Sequence, residues 1–247
     1  MATFVLVHGG GHGGWCYQPL AGLLRAEGHE VYAPSLTGLG DRSHLLNPSI
    51  NLDTHIEDIV KLLFFEDLHD VYLAGHSYGG MVITGIADRA LDRVGHLIFL
   101  DAAHPRNGEA LTTSARPLME EAYKQARTVD GVELVLFPES DSVRHYGITD
   151  TADLAWAQPR LTPHPWACFD QPLRMENEDA VRNLPRTSIN CTATLKMRPL
   201  EFAARVTDAD HVFEIDTGHD LMITEPRKVA DMLIEVVRRE ETSPRTR

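Results

Sequence analysis

Positive charge is scarce in this chain: 23 Lys and Arg stand against 36 Asp and Glu, a formal net charge of −13 over 247 residues. A groove that neutralises phosphates needs the opposite balance, which argues against nucleic acid as a partner. Cysteine is rarer still. Cys16, Cys168 and Cys191 are odd in number and far apart, so they build neither a disulfide framework nor a four-ligand zinc site, and they fit a reducing cytoplasm. No apolar run approaches the roughly 20 residues of a membrane-spanning helix. The opening Met-Ala-Thr-Phe-Val-Leu-Val-His-Gly lacks the basic region and apolar length of a signal peptide. The expectation is a soluble cytoplasmic protein without membrane contact; a homodimer is compatible with it. Repeats, low-complexity blocks and Gly/Ser linkers are missing as well, and only Glu240 to Arg247 reads as a solvated tail.

What is present is enough apolar material, 43% of residues, for one large core and a single domain. Short buried-strand runs recur at Phe4 to Val7, Val31 to Ala33, Val71 to Ala74, Leu97 to Leu100, Ser188 to Cys191 and Val212 to Ile215. Amphipathic stretches separate them. Ile56, Ile59, Val60 and Leu63 share one helical face, as do Val229, Met232, Leu233 and Val236, with Pro226 placed for a first helical turn. The alternation predicts an α/β fold: a mainly parallel six-stranded sheet flanked by helices. From about His104 to Arg186 the pattern breaks, and a stretch of that length between two strands predicts an inserted, mostly helical lid.

The strongest chemical signal is Gly75-His76-Ser77-Tyr78-Gly79, between the strand ending at Ala74 and a helix beginning near Gly80. A side chain at such a strand-to-helix turn projects from a strained backbone, and the flanking glycines remove clashing Cβ atoms. Ser77 is therefore the expected nucleophile. A hydroxyl needs a base for its proton, and imidazole has the matching pKa. Among 13 histidines, His219 in Asp216-Thr217-Gly218-His219 follows the last strand and sits on the same carboxyl edge of the sheet. His76, its nearest rival, is expected to pack under the turn.

The oxyanion formed by attack on a carbonyl needs preorganised N–H donors. The amide of Tyr78 is one expected donor, and Gly10 in His8-Gly9-Gly10-Gly11-His12-Gly13-Gly14-Trp15 the other. That loop also spaces Gly9, Gly11 and Gly14 as a dinucleotide fingerprint, but the second strand runs into Ala33-Pro34-Ser35 without the acid that would hold a ribose. His8 and His12 lack a third ligand and a helical spacer for zinc. No cofactor and no metal are expected.

The third member of a triad is harder to place. A carboxylate normally follows the penultimate strand, yet here the chain reads Cys191-Thr192-Ala193-Thr194. Asp101, at the end of the strand after the turn helix, shares the carboxyl edge with Ser77 and is the expected acid; Asp208, Asp210, Asp216 and Asp220 are its rivals.

These residues together resemble the α/β-hydrolase fold, and within it the branch of plant methyl salicylate and methyl jasmonate esterases, hydroxynitrile lyases and bacterial salicylate-esterase-like proteins. The resemblance spans Phe4 to Trp15, Gly75 to Gly79, Leu100 to Pro105 and Thr217 to His219. It implies Ser77 as nucleophile, His219 as base, and Gly10 and Tyr78 as oxyanion donors. Relatives resemble Cys-Thr-x-Asp where this chain ends in Thr194, so the family acid does not transfer. Lyases of the branch carry Lys directly after the histidine; Asp220 stands there, with a charge expected to oppose an anionic leaving group. The expected function is a serine hydrolase for small carboxylic esters, with Trp156, Trp166, Phe169 and Met119 lining the pocket. Two alternatives stay open: a cofactor-independent decarboxylase, thioesterase or dioxygenase-like enzyme using the histidine alone, and a non-catalytic small-molecule binder.

Overall fold

Residues 1–139, 146–196, 198 and 200–242 are described by a computed structural model of the chain. Strands β1 (Thr3–Val7), β2 (Glu30–Tyr32), β3 (Val71–His76) and β4 (Val94–Leu100) alternate with helices α1 (Gln18–Ala26), α2 (Leu52–Phe65) and α3 (Gly79–Arg89). Further along the chain come β8 (Arg186–Cys191), α9 (Thr192–Leu195), α10 (Leu200–Val206), β9 (His211–Ile215), α11 (Leu221–Thr224) and the closing helix α12 (Pro226–Thr242). The six strands form one sheet in the order β2-β1-β3-β4-β8-β9, and every pairing is parallel. Each run of apolar residues expected to be a strand lies in this sheet apart from Ala33, just past the end of β2, and the strands extend by up to three residues beyond those runs.

Both faces are covered, because parallel strands need crossover helices and those helices land on the faces. Alternation along each strand then sorts side chains into two cores. Val5, Val7, Leu73, Leu97 and Phe99 pack with α2 and α3 on one side; Phe4, Leu6, Ala74, Ile98 and Leu100 pack with α1 and α12 on the other. On α2 the inward stripe of Ile56, Ile59 and Leu63 is wholly buried, each worth about 1.5–3 kcal/mol of transfer free energy. The helix starts at a capping box: the Thr54 amide donates to the Asn51 side chain at 3.1 Å, and the Asn51 amide donates to the Thr54 hydroxyl at 3.3 Å.

The segment between β4 and β8 carries the mostly helical insert that the sequence suggests, with a small sheet that it does not. Among the described residues it contains five short α-helices, α4 (Leu111–Ser114), α5 (Arg116–Tyr123), α6 (Thr151–Ala157), α7 (Trp166–Asp170) and α8 (Glu178–Arg182), but also a three-stranded antiparallel sheet. Its strands are β5 (Arg127–Val129), β6 (Val132–Val135) and β7 (His164–Pro165). They are three, four and two residues long, too short for alternation to stand out in sequence. At the carboxyl end, residues 240–242 belong to α12 rather than to a tail, and Glu240 pairs with His211 at 3.1 Å; residues 243–247 of the expected tail lie outside the described residues. No described helix is long and apolar enough to cross a membrane.

Sheet order reverses between β1 and β3, since β1 pairs with β2 on one side and β3 on the other. A crevice opens at the carboxyl ends of strands flanking such a switch point. The loop after β1 and the turn after β3 both emerge there.

Candidate active site

Register puts two strained residues side by side. His76 of β3 pairs with Leu100 of β4, so Ser77 and Asp101 are the next positions on neighbouring strands. Both have left-handed backbones, with φ of +54° and +46°, a conformation that costs a side-chain-bearing residue of order 1–3 kcal/mol and clusters at functional sites. The Ser77 turn is held by its amide donating to the Leu100 carbonyl (3.3 Å), and by the amides of Gly80 and Ala103 donating to the Ser77 carbonyl (3.0 Å each). A Cβ on Gly75 would lie 2.5 Å from the Gly79 carbonyl oxygen, which is why this turn requires glycine.

The Asp101 carboxylate is buried and collects donors from four groups, one of them the Cys191 amide at 3.3 Å. His219 Nδ1 donates to Oδ2 at 2.5 Å, the Thr194 hydroxyl lies 2.7 and 2.8 Å from the two oxygens, and Arg198 donates to Oδ1 at 3.1 Å. Burial alone would raise this carboxyl, but the His219 hydrogen bond and the charges of His219 and Arg198 outweigh it and hold the group well below the usual carboxylate range. Thr194 thus donates to the carboxylate supplied by the neighbouring strand.

His219 lies beside the elbow: its ring centroid is 4.6 Å from that of His76, and its carbonyl accepts from His76 Nε2 at 3.0 Å. His76 is fully buried under the turn, as expected. The Ser77 hydroxyl hydrogen-bonds to none of the described residues, a geometry common in ligand-free sites whose proton-transfer contact tightens only with substrate.

Around the glycine loop, histidines take the hydrogen bonds that fix its path. His8 Nε2 accepts from the Leu36 amide (3.0 Å), so its Nδ1–H donates to the Gly9 carbonyl (2.9 Å). His12 Nδ1–H donates to the Gly10 carbonyl at 2.8 Å, and the Gly11 amide donates to His164 Nδ1 at 3.2 Å. The amides of Gly10 and Tyr78 donate to no described group. A Cβ on Gly9 would sit 2.9 Å from Ser77 Cβ and 2.8 Å from His76 Nδ1, so only glycine allows this loop to approach the elbow. The Tyr78 ring is fully buried, its hydroxyl donating to His55 Nδ1 at 3.0 Å while His55 Nε2–H donates to the Thr37 carbonyl at 3.0 Å.

Sequence reasoning marked Thr194 only as the place of a missing acid and did not anticipate the roles of Arg198, His55 or His164, which reach the site from elements remote in sequence with no motif to mark them. Two expectations are corrected. Asp220 does not direct its charge at a leaving group: it is fully buried, with Oδ2 2.9 Å from His12 Nε2. Trp156 packs edge-on against Trp15, with centroids 5.3 Å apart, and so fastens the insert to the body. Phe169 does reach the glycine loop, where its Cζ and the Leu136 Cδ1 would each lie 2.9 Å from a Cβ on Gly10. Two surface clefts of about 490 and 760 Å³ include none of Ser77, Asp101, His219, Gly10 or Tyr78 in their walls.

Burial pushes several histidines down, to about 3 for His8, His76 and His104, to about 4 for His55, and well below the ordinary value for His164. Their folded-state pKa values lie below the unfolded value of about 6.5, so each contributes stability that is lost as pH falls from there toward its folded pKa. Every such group costs about 1.4 kcal/mol per pH unit while only the unfolded form is protonated. The urea midpoint should therefore fall between pH 6.5 and 4, before most carboxylates titrate; a midpoint constant over that range would contradict the neutral buried histidines.

The chain belongs to the alpha/beta hydrolase family, whose profile matches residues 4–232. It is 35% identical to a carbendazim hydrolyzing esterase of Nocardioides sp. (strain SG-4G), over 94% of this chain and 98% of that one. Methylesterase 2 of Arabidopsis thaliana is 26% identical over 94% and 95%. Among solved structures, an Arabidopsis methylesterase superposes with a TM-score of 0.75 at 24% identity, covering 96% of this chain and 99% of the other.

Proposed function

We propose that this chain hydrolyses small carboxylic esters through an acyl-enzyme intermediate, with Ser77, His219 and Asp101 as its triad and the Gly10 and Tyr78 amides as its oxyanion hole. One observation carries the reading: Asp101, adjacent to Ser77 in register, lies 2.5 Å from His219 Nδ1. With Nδ1–H committed to Asp101, the lone pair of His219 is on Nε2, the tautomer that accepts a serine proton.

Ser77 Oγ attacks the ester carbonyl carbon as its proton passes to His219 Nε2. The carbonyl oxygen becomes an anion facing the two unpaired amides, which need no reorganisation to receive it. His219 returns the proton to the departing alcohol, and a water molecule repeats the sequence on the acyl-serine to release the acid. Asp101 stabilises the imidazolium at both stages without taking its proton. The relatives whose names denote esterases support the ester class. Buried Asp220, in place of the lyase lysine, leaves no cation after His219 to stabilise cyanide. The insert at about 104–186 acts as the lid, with Leu136 and Phe169 over Gly10. Three unpaired, buried cysteines fit a reducing compartment.

A chromogenic short-chain ester and a fluorophosphonate test this directly. Turnover of the ester, with one phosphonyl group per chain mapped by peptide mass to Ser77, is the expected result. Ester binding without turnover or labelling would make the protein a small-molecule binder.

A further inference from the structure

The loop that carries His219 and the loop that carries the Gly10 amide come from opposite ends of the chain, yet catalysis as proposed needs them in register to within a fraction of an ångström. Between them lies a fully buried pair, Asp220 and His12, that no catalytic step uses. Asp220 is the residue after His219; His12 is two residues after Gly10. We propose that Asp220 and His12 are positioning residues, their buried pair holding the base loop and the oxyanion loop at a fixed separation. This inference rests on the hydrolase reading above.

Hydrogen-bond accounting supports it. A carbonyl oxygen only accepts, so the 2.8 Å contact from His12 Nδ1 to the Gly10 carbonyl places a proton on Nδ1. At the other side of the ring, Nε2 meets Asp220 Oδ2 at 2.9 Å. One imidazole therefore spans the two loops. Burial would lower His12, but the Asp220 charge and hydrogen bond raise it; burial would raise Asp220, but His12 lowers it. Both shifts favour the ionised pair. The second Asp220 oxygen lies 3.7 Å from His76 Nε2, whose proton is given to the His219 carbonyl at 3.0 Å. Tyr146 adds a parallel strut: its carbonyl accepts from the Asp220 amide at 2.9 Å and its hydroxyl donates to the Gly10 carbonyl at 3.1 Å. Both side chains are fully buried, so the pair acts through the groups it holds.

Substitutions separate position from charge. In Asp220→Asn the side-chain amide donates to the lone pair of a neutral His12, whose Nδ1–H still reaches Gly10; the bridge survives and the charge is gone. Asp220→Ala removes the bridge from one side and His12→Asn shortens it from the other. A trifluoromethyl ketone reports the geometry: Ser77 Oγ adds to its carbonyl carbon, the serine proton passes to His219, and the oxygen becomes the anion held by Gly10 and Tyr78.

In the two disrupting variants, kcat should fall about 100-fold, the scale of a misplacement near 1 Å. KM should stay within about three-fold, and the ketone Ki should rise by the factor that kcat loses, because only the transition state feels the change. Asp220→Asn should remain within about five-fold of the wild type, as expected when binding groups keep their geometry. Unchanged kcat in Asp220→Ala, a rise in KM alone, or an Asn variant as impaired as the Ala variant would overturn the proposal. Loss of the fold in both disrupting variants would also overturn it, by making the pair an element of stability alone. A wild-type protein inert to ester and ketone alike would instead remove the hydrolase reading beneath it.

Discussion

Asp101→Asn should lower kcat by about 10⁴-fold while leaving the fold intact, the scale expected when a triad carboxylate becomes an amide. The reason is a tautomer. The carboxylate accepts Nδ1–H of His219 at 2.5 Å. An asparagine that turned its NH₂ to that nitrogen would oblige Nδ1 to accept and move the ring proton to Nε2, where no serine proton can then be taken. Thr194 and Arg198 favour that orientation, because they donate to Asp101 and would keep the asparagine oxygen on their side. Near-normal circular dichroism with a collapsed kcat is the expected pair of measurements. A rate within ten-fold of wild type would mean that another group orients His219.

Ser77→Ala should be the more damaging change, with kcat lower by about 10⁶-fold and residual turnover due to the oxyanion amides and substrate binding alone. Ester KM should change little, because the hydroxyl contributes bond formation in the transition state rather than ground-state contact. Alanine also keeps a Cβ at a φ of +54°, so the elbow strain is unchanged and the variant should melt within a few degrees of wild type. The comparison with His219→Ala decides between chemistries. If Ser77→Ala kept its turnover while His219→Ala lost it, the histidine would be acting without a covalent intermediate. Loss in both supports the acyl-enzyme.

Much of this architecture is readable along the chain. The six sheet strands appear as short apolar runs because both sheet faces are covered, which makes nearly every strand position hydrophobic. The Ser77 turn is legible because a strained nucleophile needs glycines at fixed offsets, and that constraint is local. The Gly10 loop is legible for the same reason: backbone must approach backbone, and a Cβ at Gly9 would meet Ser77. The small sheet of β5, β6 and β7 was not readable. Its strands have two to four residues each and pair across up to 31 positions, so neither length nor alternation announces them.

Asp101 shows where local reading ends. Its place on the carboxyl edge of the sheet followed from strand order, and closeness to His219 along the chain counted against Asp216 and Asp220, but no local feature excluded Asp208 or Asp210. The fold separates them by burial and hydrogen bonding. Asp216 accepts from Thr192, Asp210 from the Arg186 amide, and Asp220 is engaged by His12.

From residues in order, one learns the class of fold, the strained serine turn, the glycine loop and the imidazole after the last strand, since each is specified by neighbours a few positions away. Which carboxylate meets that imidazole, which cation and hydroxyl hold it, and how His12 comes to face Asp220 across 208 positions depend on strand register and loop packing. Those are properties of chain segments brought together only in three dimensions, where burial makes a partner for every charge a requirement.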